Sequence, residues 1–142
     1  MTTQEREHIS EHFTWYELTR SGAALEHALD NTPNDRQRQA LRALAENVLE
    51  PLRRRFGPIV VSSGFRSPAV NRLVGGVPGS QHLRGEAADI VIGDVDRGLR
   101  ICHHIRRHLD FDQLIFEPLG FPTPRWLHVS YTATRRNRRE MV

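Results

Sequence analysis

Ser80-Gln81-His82-Leu83-Arg84-Gly85-Glu86-Ala87-Ala88-Asp89 runs directly into Ile90-Val91-Ile92, and the way this stretch must fold organises the rest of the chain. It holds a histidine and an aspartate seven positions apart. Seven residues of α-helix rise about 10.5 Å, too far for both ends to grip one ion, so the segment has to turn back on itself. Gly79 and Gly85 supply turn-capable backbone, and Asp89 opens a strand with Val91 on its own face and Ile90 on the other. A second histidine lies further on, in Trp126-Leu127-His128-Val129-Ser130. Imidazole nitrogens and a carboxylate oxygen are zinc donors, and three protein ligands plus one open position make a catalytic zinc site. His82, Asp89 and His128 are therefore read as the holders of one Zn²⁺. The chain has eight histidines, and spacing alone leaves a surface His–Asp pair or a hydrogen-bonded core histidine open.

The surrounding motifs narrow this. Ser62–Gly76 reads SSGFRSPAVNRLVGG, then come SQHLRGEAADI at 80–90 and WLHVS at 126–130. The ordered set SGxRS, SxHxxGxAxD and WxHxS resembles peptidase family M15, the zinc D-alanyl-D-alanine peptidases common among phage and bacterial cell-wall enzymes. The resemblance runs from His12-Phe13-Thr14-Trp15-Tyr16-Glu17-Leu18 to Tyr131. It implies one zinc ion on His82, Asp89 and His128, and a peptidoglycan stem peptide as substrate, cut in D,D- or L,D-type amide hydrolysis. It also implies that Arg66, the SGxRS arginine, binds substrate and polarises the scissile carbonyl. Ser80 and Gln113 are expected to contact substrate beside it. Several family members carry an acid three residues before the last histidine, and here that position is Arg125, which is no base. Glu117 is the expected general base instead, since strand alternation places Gln113 and Glu117 on one face and a hairpin with 126–131 brings Glu117 near His128. Glu117 could equally orient a ligand histidine, and Glu86 is read as solvent-facing. The alternative function is a non-catalytic, zinc-stabilised wall-binding module.

Composition sets the outer bounds. The 142 residues, 26% charged and 38% hydrophobic, fit one globular domain with a real core. No apolar run approaches a membrane span, so no membrane partner is expected. Met1-Thr2-Thr3-Gln4-Glu5-Arg6-Glu7 lacks a basic-then-apolar signal pattern. The expectation is a protein made in the cytoplasm and, by the family's habit, delivered to the wall by a phage lysis system or virion. The single Cys102 forbids an internal disulfide and is read as a small buried apolar residue. All 20 basic residues are arginine, and the net charge of +3 is carried by Arg135, Arg136, Arg138, Arg139 and Glu140. Residues 1–134 are thus balanced and form the catalytic domain, with 135–142 a solvated basic tail. No nucleic-acid partner is expected, and the protein is expected to be a monomer.

Local signals fill in the frame. Residues 1–12 read as loose. Thr14 and Glu17 form a capping box, Phe13 staples onto Leu18, and Gly22 ends the short helix. Asn31–Asn34 is a turn, and a long helix follows from Asp35 to about Arg55, with Leu41, Leu44, Ala45, Val48 and Leu52 on its apolar face and a kink at Pro51. Ser67 and Pro68 start another helix, closed by Gly75-Gly76. The helix from Asp94 presents Leu99, Cys102, Ile105 and Leu109 to the core, and its His103, His104 and His108 are read as solvated. Pro118 to Pro124 is an irregular connection. Strands near 59–62, 88–92, 111–117 and 126–131 without βαβ alternation predict an α+β fold with a mostly antiparallel sheet, and the resemblance implies a small sheet flanked by helices, of Hedgehog/DD-peptidase type.

Overall fold

A computed structural model describes residues 2–118 and 124–142, so most of the Pro118–Pro124 connection lies outside the described residues. The fold is α+β. Five strands, β1 (Val61–Ser63), β2 (Ala87–Val91), β3 (Gln113–Glu117), β4 (Trp126–Ser130) and β5 (Glu140–Met141), form one sheet in the order β1-β2-β4-β3-β5. All pairs are antiparallel except β3 with β5. Register follows from burial: Ala88, Ile90, Leu114, Leu127 and Val129 are all at or below 1% exposed and share one face, so the opposite face receives Asp89, His128, Ile115 and Glu117.

Helices cover the apolar face. α1 (Thr3–Arg6), α2 (Trp15–Thr19) and α3 (Gly22–Glu26) precede α4 (Asp35–Leu44), which continues through a π turn at 45–49 into α5 (Glu50–Phe56). Leu41, Leu44, Ala45, Val48 and Leu52 are fully buried, as the three-and-four spacing predicts. Pro51 follows a π turn at 45–49. It has no N–H and its ring crowds the preceding turn; the helix widens there, and the Glu50 N–H reaches back to the Ala45 carbonyl. α6 (Pro68–Leu73) starts on the Ser67 cap, and α7 (Val95–His108) packs through Gly98, Ile101, Cys102 and Ile105. Leu99, expected inside, is 53% exposed, because the buried stripe starts one position earlier, at Gly98. No described helix is long and apolar enough to cross a membrane.

The Thr14–Glu17 capping box and the buried Phe13 and Leu18 are present, but Gly22 starts α3 instead of ending α2. Residues before Thr14 are not loose. Ile9 is buried, and the Glu50 carboxylate takes hydrogen bonds from Ser10 Oγ and the His12 N–H, both at 2.6 Å, and from His12 Nδ1 at 2.8 Å. A buried carboxylate needs such donors, and they tie the N-terminal loop to the π turn.

The largest departure is at the other end. Residues 135–142 are not a solvated tail. Asp112 is fully buried and accepts from Arg135 Nη1 and Nη2 at 2.7 and 3.0 Å, and from Arg138 Nη2 at 2.8 Å and its backbone N–H at 2.8 Å. Gln81 Nε2 adds a further bond at 3.0 Å, which links this clamp to the turn before His82. The Arg135 hydrogen bond, helped by Arg138 and opposed by burial, holds the Asp112 carboxyl far below the usual carboxylate range. The folded protein thus binds fewer protons here than the unfolded chain, whose aspartate titrates at about 3.9. This stabilisation is present above about pH 4 and lost as pH falls through and below it. Asp112→Asn is expected to lower stability at pH 7 by about 1.5–3 kcal/mol and to flatten the acid limb of a melting-temperature profile between about pH 5 and 2. An unchanged acid limb would show that the clamp contributes nothing.

Candidate metal centre

The central strands bring the three predicted ligands together. β2 and β4 pair with Asp89 directly opposite His128. His82 arrives on a short 3₁₀ turn, 81–84, capped when its own N–H donates to Ser80 Oγ at 3.2 Å and ended by Gly85 in the left-handed conformation, φ +73°. Gly85 is needed twice over, since a Cβ there would also lie 2.6 Å from the Gln37 carbonyl. Gly79 has no such requirement, so the fold-back rests on Gly85 and the 3₁₀ turn.

The geometry around Asp89 Oδ1 is that of converging ligands. His82 Nε2 lies 3.3 Å from it and His128 Nδ1 3.1 Å. Zinc bonds of about 2.0–2.2 Å in a tetrahedron place donor atoms about 3.3–3.5 Å apart, so the spacing suits that ion. His82 Nδ1 donates to the Gly64 carbonyl at 2.7 Å. A carbonyl only accepts, which fixes the proton on Nδ1 and leaves Nε2 of the neutral ring as a lone pair facing a carboxylate oxygen. With the ring neutral, two acceptors meet at 3.3 Å, and a cation between them satisfies both. All three residues are buried, at 3%, 6% and 8% exposure for His82, Asp89 and His128. Burial works against the Asp89 charge, but the His128 and His82 rings beside it outweigh that and hold the carboxyl well below its ordinary range. The residues present therefore fit one zinc ion.

Arg66 stands over the same carboxylate. Its Nη2 is 3.5 Å from Asp89 Oδ2, while Nε donates to Ser63 Oγ at 3.2 Å and Nη1 to Asn71 Oδ1 at 3.3 Å. Gly64, two residues earlier, is required by close packing, since a Cβ would sit 2.3 Å from the Leu18 carbonyl. That contact places both the Gly64 carbonyl behind His82 and Arg66 at the cleft.

The cleft itself encloses about 910 Å³, and Arg66, His82, Asp89, Glu117, Trp126 and His128 line it. Glu117 is paired with Trp126, and His128 with Ile115; Glu117 is thus the diagonal neighbour of His128 on one face, about 7–8 Å away along the backbone. Ser80 and Gln113 also line the cleft, with the Ser80 hydroxyl used as a cap and the Gln113 amide donating to Glu140 Oε1 at 2.7 Å. Glu86 is buried, 2.9 Å from Arg84 Nε, and is not solvent-facing. Arg125 is exposed. Among the described residues His104 and His108 meet no third ligand, and the second group that could gather around a metal is Glu11, His12 and Glu50, whose central carboxylate is the N-terminal clasp described above.

Three contributors escaped the sequence reading. Asn71 is 3% exposed and bridges Arg66 to the Val77 carbonyl; its position on the first turn after the Ser67 cap was the available signal. The Gly64 carbonyl acts through backbone, which residue identity does not announce. Asp112 carried no signal beyond an acid at a strand start.

The family model for Peptidase M15 matches residues 11–130, which includes the three clustered residues, Arg66 and Glu117 and leaves the Arg135–Arg138 clamp outside. No curated protein matches the chain.

Proposed function

The chain belongs to the peptidase M15 family, and from that premise we propose that it is a zinc-dependent peptidase that hydrolyses an amide bond in peptidoglycan stem peptides, of the D-Ala-D-Ala carboxypeptidase or endopeptidase type. The observation that carries the zinc reading is the acceptor-against-acceptor contact of His82 Nε2 with Asp89 Oδ1, sealed by the His82–Gly64 hydrogen bond. The peptidoglycan reading rests on the family's motifs.

His82, Asp89 and His128 would hold the ion. Bound there, zinc supplies Lewis acidity, which polarises a carbonyl and acidifies water. The protein's own groups do the rest. The Gly64 carbonyl holds the His82 ring so that Nε2 faces inward. Arg66, braced by Ser63 and Asn71, presents a guanidinium to the scissile carbonyl oxygen or to a peptide carboxylate and stabilises the charge that builds there. Glu117 takes a proton from the attacking water and returns it to the leaving amine at its nitrogen. Trp126 and Ile115 give the peptide an apolar wall between these groups.

The test is digestion of purified peptidoglycan by zinc-loaded protein, with mass spectrometry of the fragments. New amino termini at one stem-peptide bond, lost on chelation and restored by zinc, are expected. Zinc-loaded protein that releases nothing from any wall chemotype would point to the binding-module alternative.

A further inference from the structure

A second cavity lies on the other side of the sheet from the metal cluster, because α7 packs on the apolar face against Ile92 and Phe116 and turns its outer surface away. There, α5 and α7 bound a groove of about 750 Å³ that Arg55, Arg97, Arg100 and Arg107 line. His103, His104 and His108 line it as well, and no carboxylate does. Among the described residues the one acid within ion-pair reach of these side chains is Asp96, 3.5 Å from Arg100. Arg97 is committed to the fold, donating to the Val91, Ile92 and Pro58 carbonyls, whereas Arg55 and Arg107 meet no carboxylate among the described residues. A concentration of like charge with so little internal compensation opposes folding, and a bound anion relieves it.

Shape narrows the ligand. Positions 97, 100, 104 and 107 recur at helical spacing, and the stripe from 97 to 108 is about 16 Å long, more than one phosphate or carboxylate fills. Arginine forks suit phosphate. Base stacking needs a free aromatic face, and the rings here are already engaged: Phe56 has Arg55 5.6 Å above it and the His104 ring 5.5 Å away in a T-shaped contact, His104 packs 4.8 Å from His108, and His103 Nε2 lies 3.4 Å from Arg107 Nη1. We propose that this groove binds a linear phosphodiester polymer that carries no bases. The site is independent of the peptidase cleft and of its reading.

The experiment measures binding of a poly(glycerol phosphate) chain to the full-length protein by calorimetry across salt concentrations. Saturable binding is expected, with affinity falling linearly in log salt, and at least tenfold weaker binding in Arg55→Ser/Arg107→Ser. Both side chains are exposed, so the melting temperature should hold, and Arg136→Ser, elsewhere on the surface, should bind like the parent. A second readout needs no variant. Burial first, then the charges of His108 and Arg55, keep the His104 imidazole below its ordinary value, with Arg107 and Phe56 beside them in the groove, and bound polymer should move its NMR titration midpoint upward. The proposal is overturned by absent binding, by equal affinity in the double variant, by an unmoved His104 midpoint at saturation, or by tighter binding of a phosphate-matched single-stranded oligonucleotide or of phosphatidylglycerol vesicles.

Discussion

Asp89→Asn is expected to leave the protein folded but nearly free of zinc, with hydrolysis lost alongside the metal. The reason lies in one atom: Asp89 Oδ1 stands 3.3 Å from His82 Nε2 and 3.1 Å from His128 Nδ1, so it is the donor around which the other two are arranged. Asparagine keeps the shape and can still bond to Arg66, but it removes the negative charge that two neutral imidazoles and a divalent cation require. Loss of a group that merely orients a ligand lowers metal affinity about 10–100-fold, and loss of the ligand itself should exceed that. The measurement is metal content after dialysis against a competing chelator, together with the zinc-induced rise in melting temperature. A ligand that binds only the native state stabilises it by about 2.7 kcal/mol at a hundred times its Kd, so the parent should show a clear rise and the variant none. Equal zinc content in parent and variant would mean that the ion sits elsewhere, and the hydrolytic mechanism would fall with it.

Much of this site was legible because zinc chemistry restricts the residue types and because the strand flanking Asp89 is unmistakably apolar. The reading of His82, Asp89 and His128 needed only that the segment double back, and Gly85 marks where it does. What stayed hidden is whatever depends on register or on one end of the chain finding the other. Alternation puts Glu117 and His128 on a common face, but only the pairing of Glu117 with Trp126 shows them to be diagonal and not opposite. The Asp112 clamp joins a strand start to arginines 23 and 26 residues later, with no periodicity to announce it, and a run of four arginines near a terminus reads most simply as solvated. Ile9 is a single apolar residue among polar ones, so its burial follows from Glu50 drawing the loop inward. Pro51 signals a missing donor, but not the π turn at 45–49 that precedes it. Leu49 and Leu52, on either side of the proline, are both fully buried.

Glu117→Gln should separate chemistry from metal binding. Glu117 lines the cleft on the same face as His128 but does not join the ligand cluster, so the amide should leave zinc content and the zinc-dependent melting rise as in the parent. Glutamine fills the same space and can still hydrogen-bond, but it cannot accept the proton of an attacking water. General-base catalysis contributes about 10²–10⁴-fold, and kcat on a stem peptide should fall within that range, with KM little changed because the ground-state contacts are retained. Arg125, three residues before His128, is exposed and permanently charged. Arg125→Gln should therefore leave kcat within about twofold, since a general-base contribution of 10²–10⁴ is not at stake there. If Glu117→Gln retained full activity, or if it lost zinc together with activity, Glu117 would be a group that orients His128, and the proton would have to leave through another residue of the cleft.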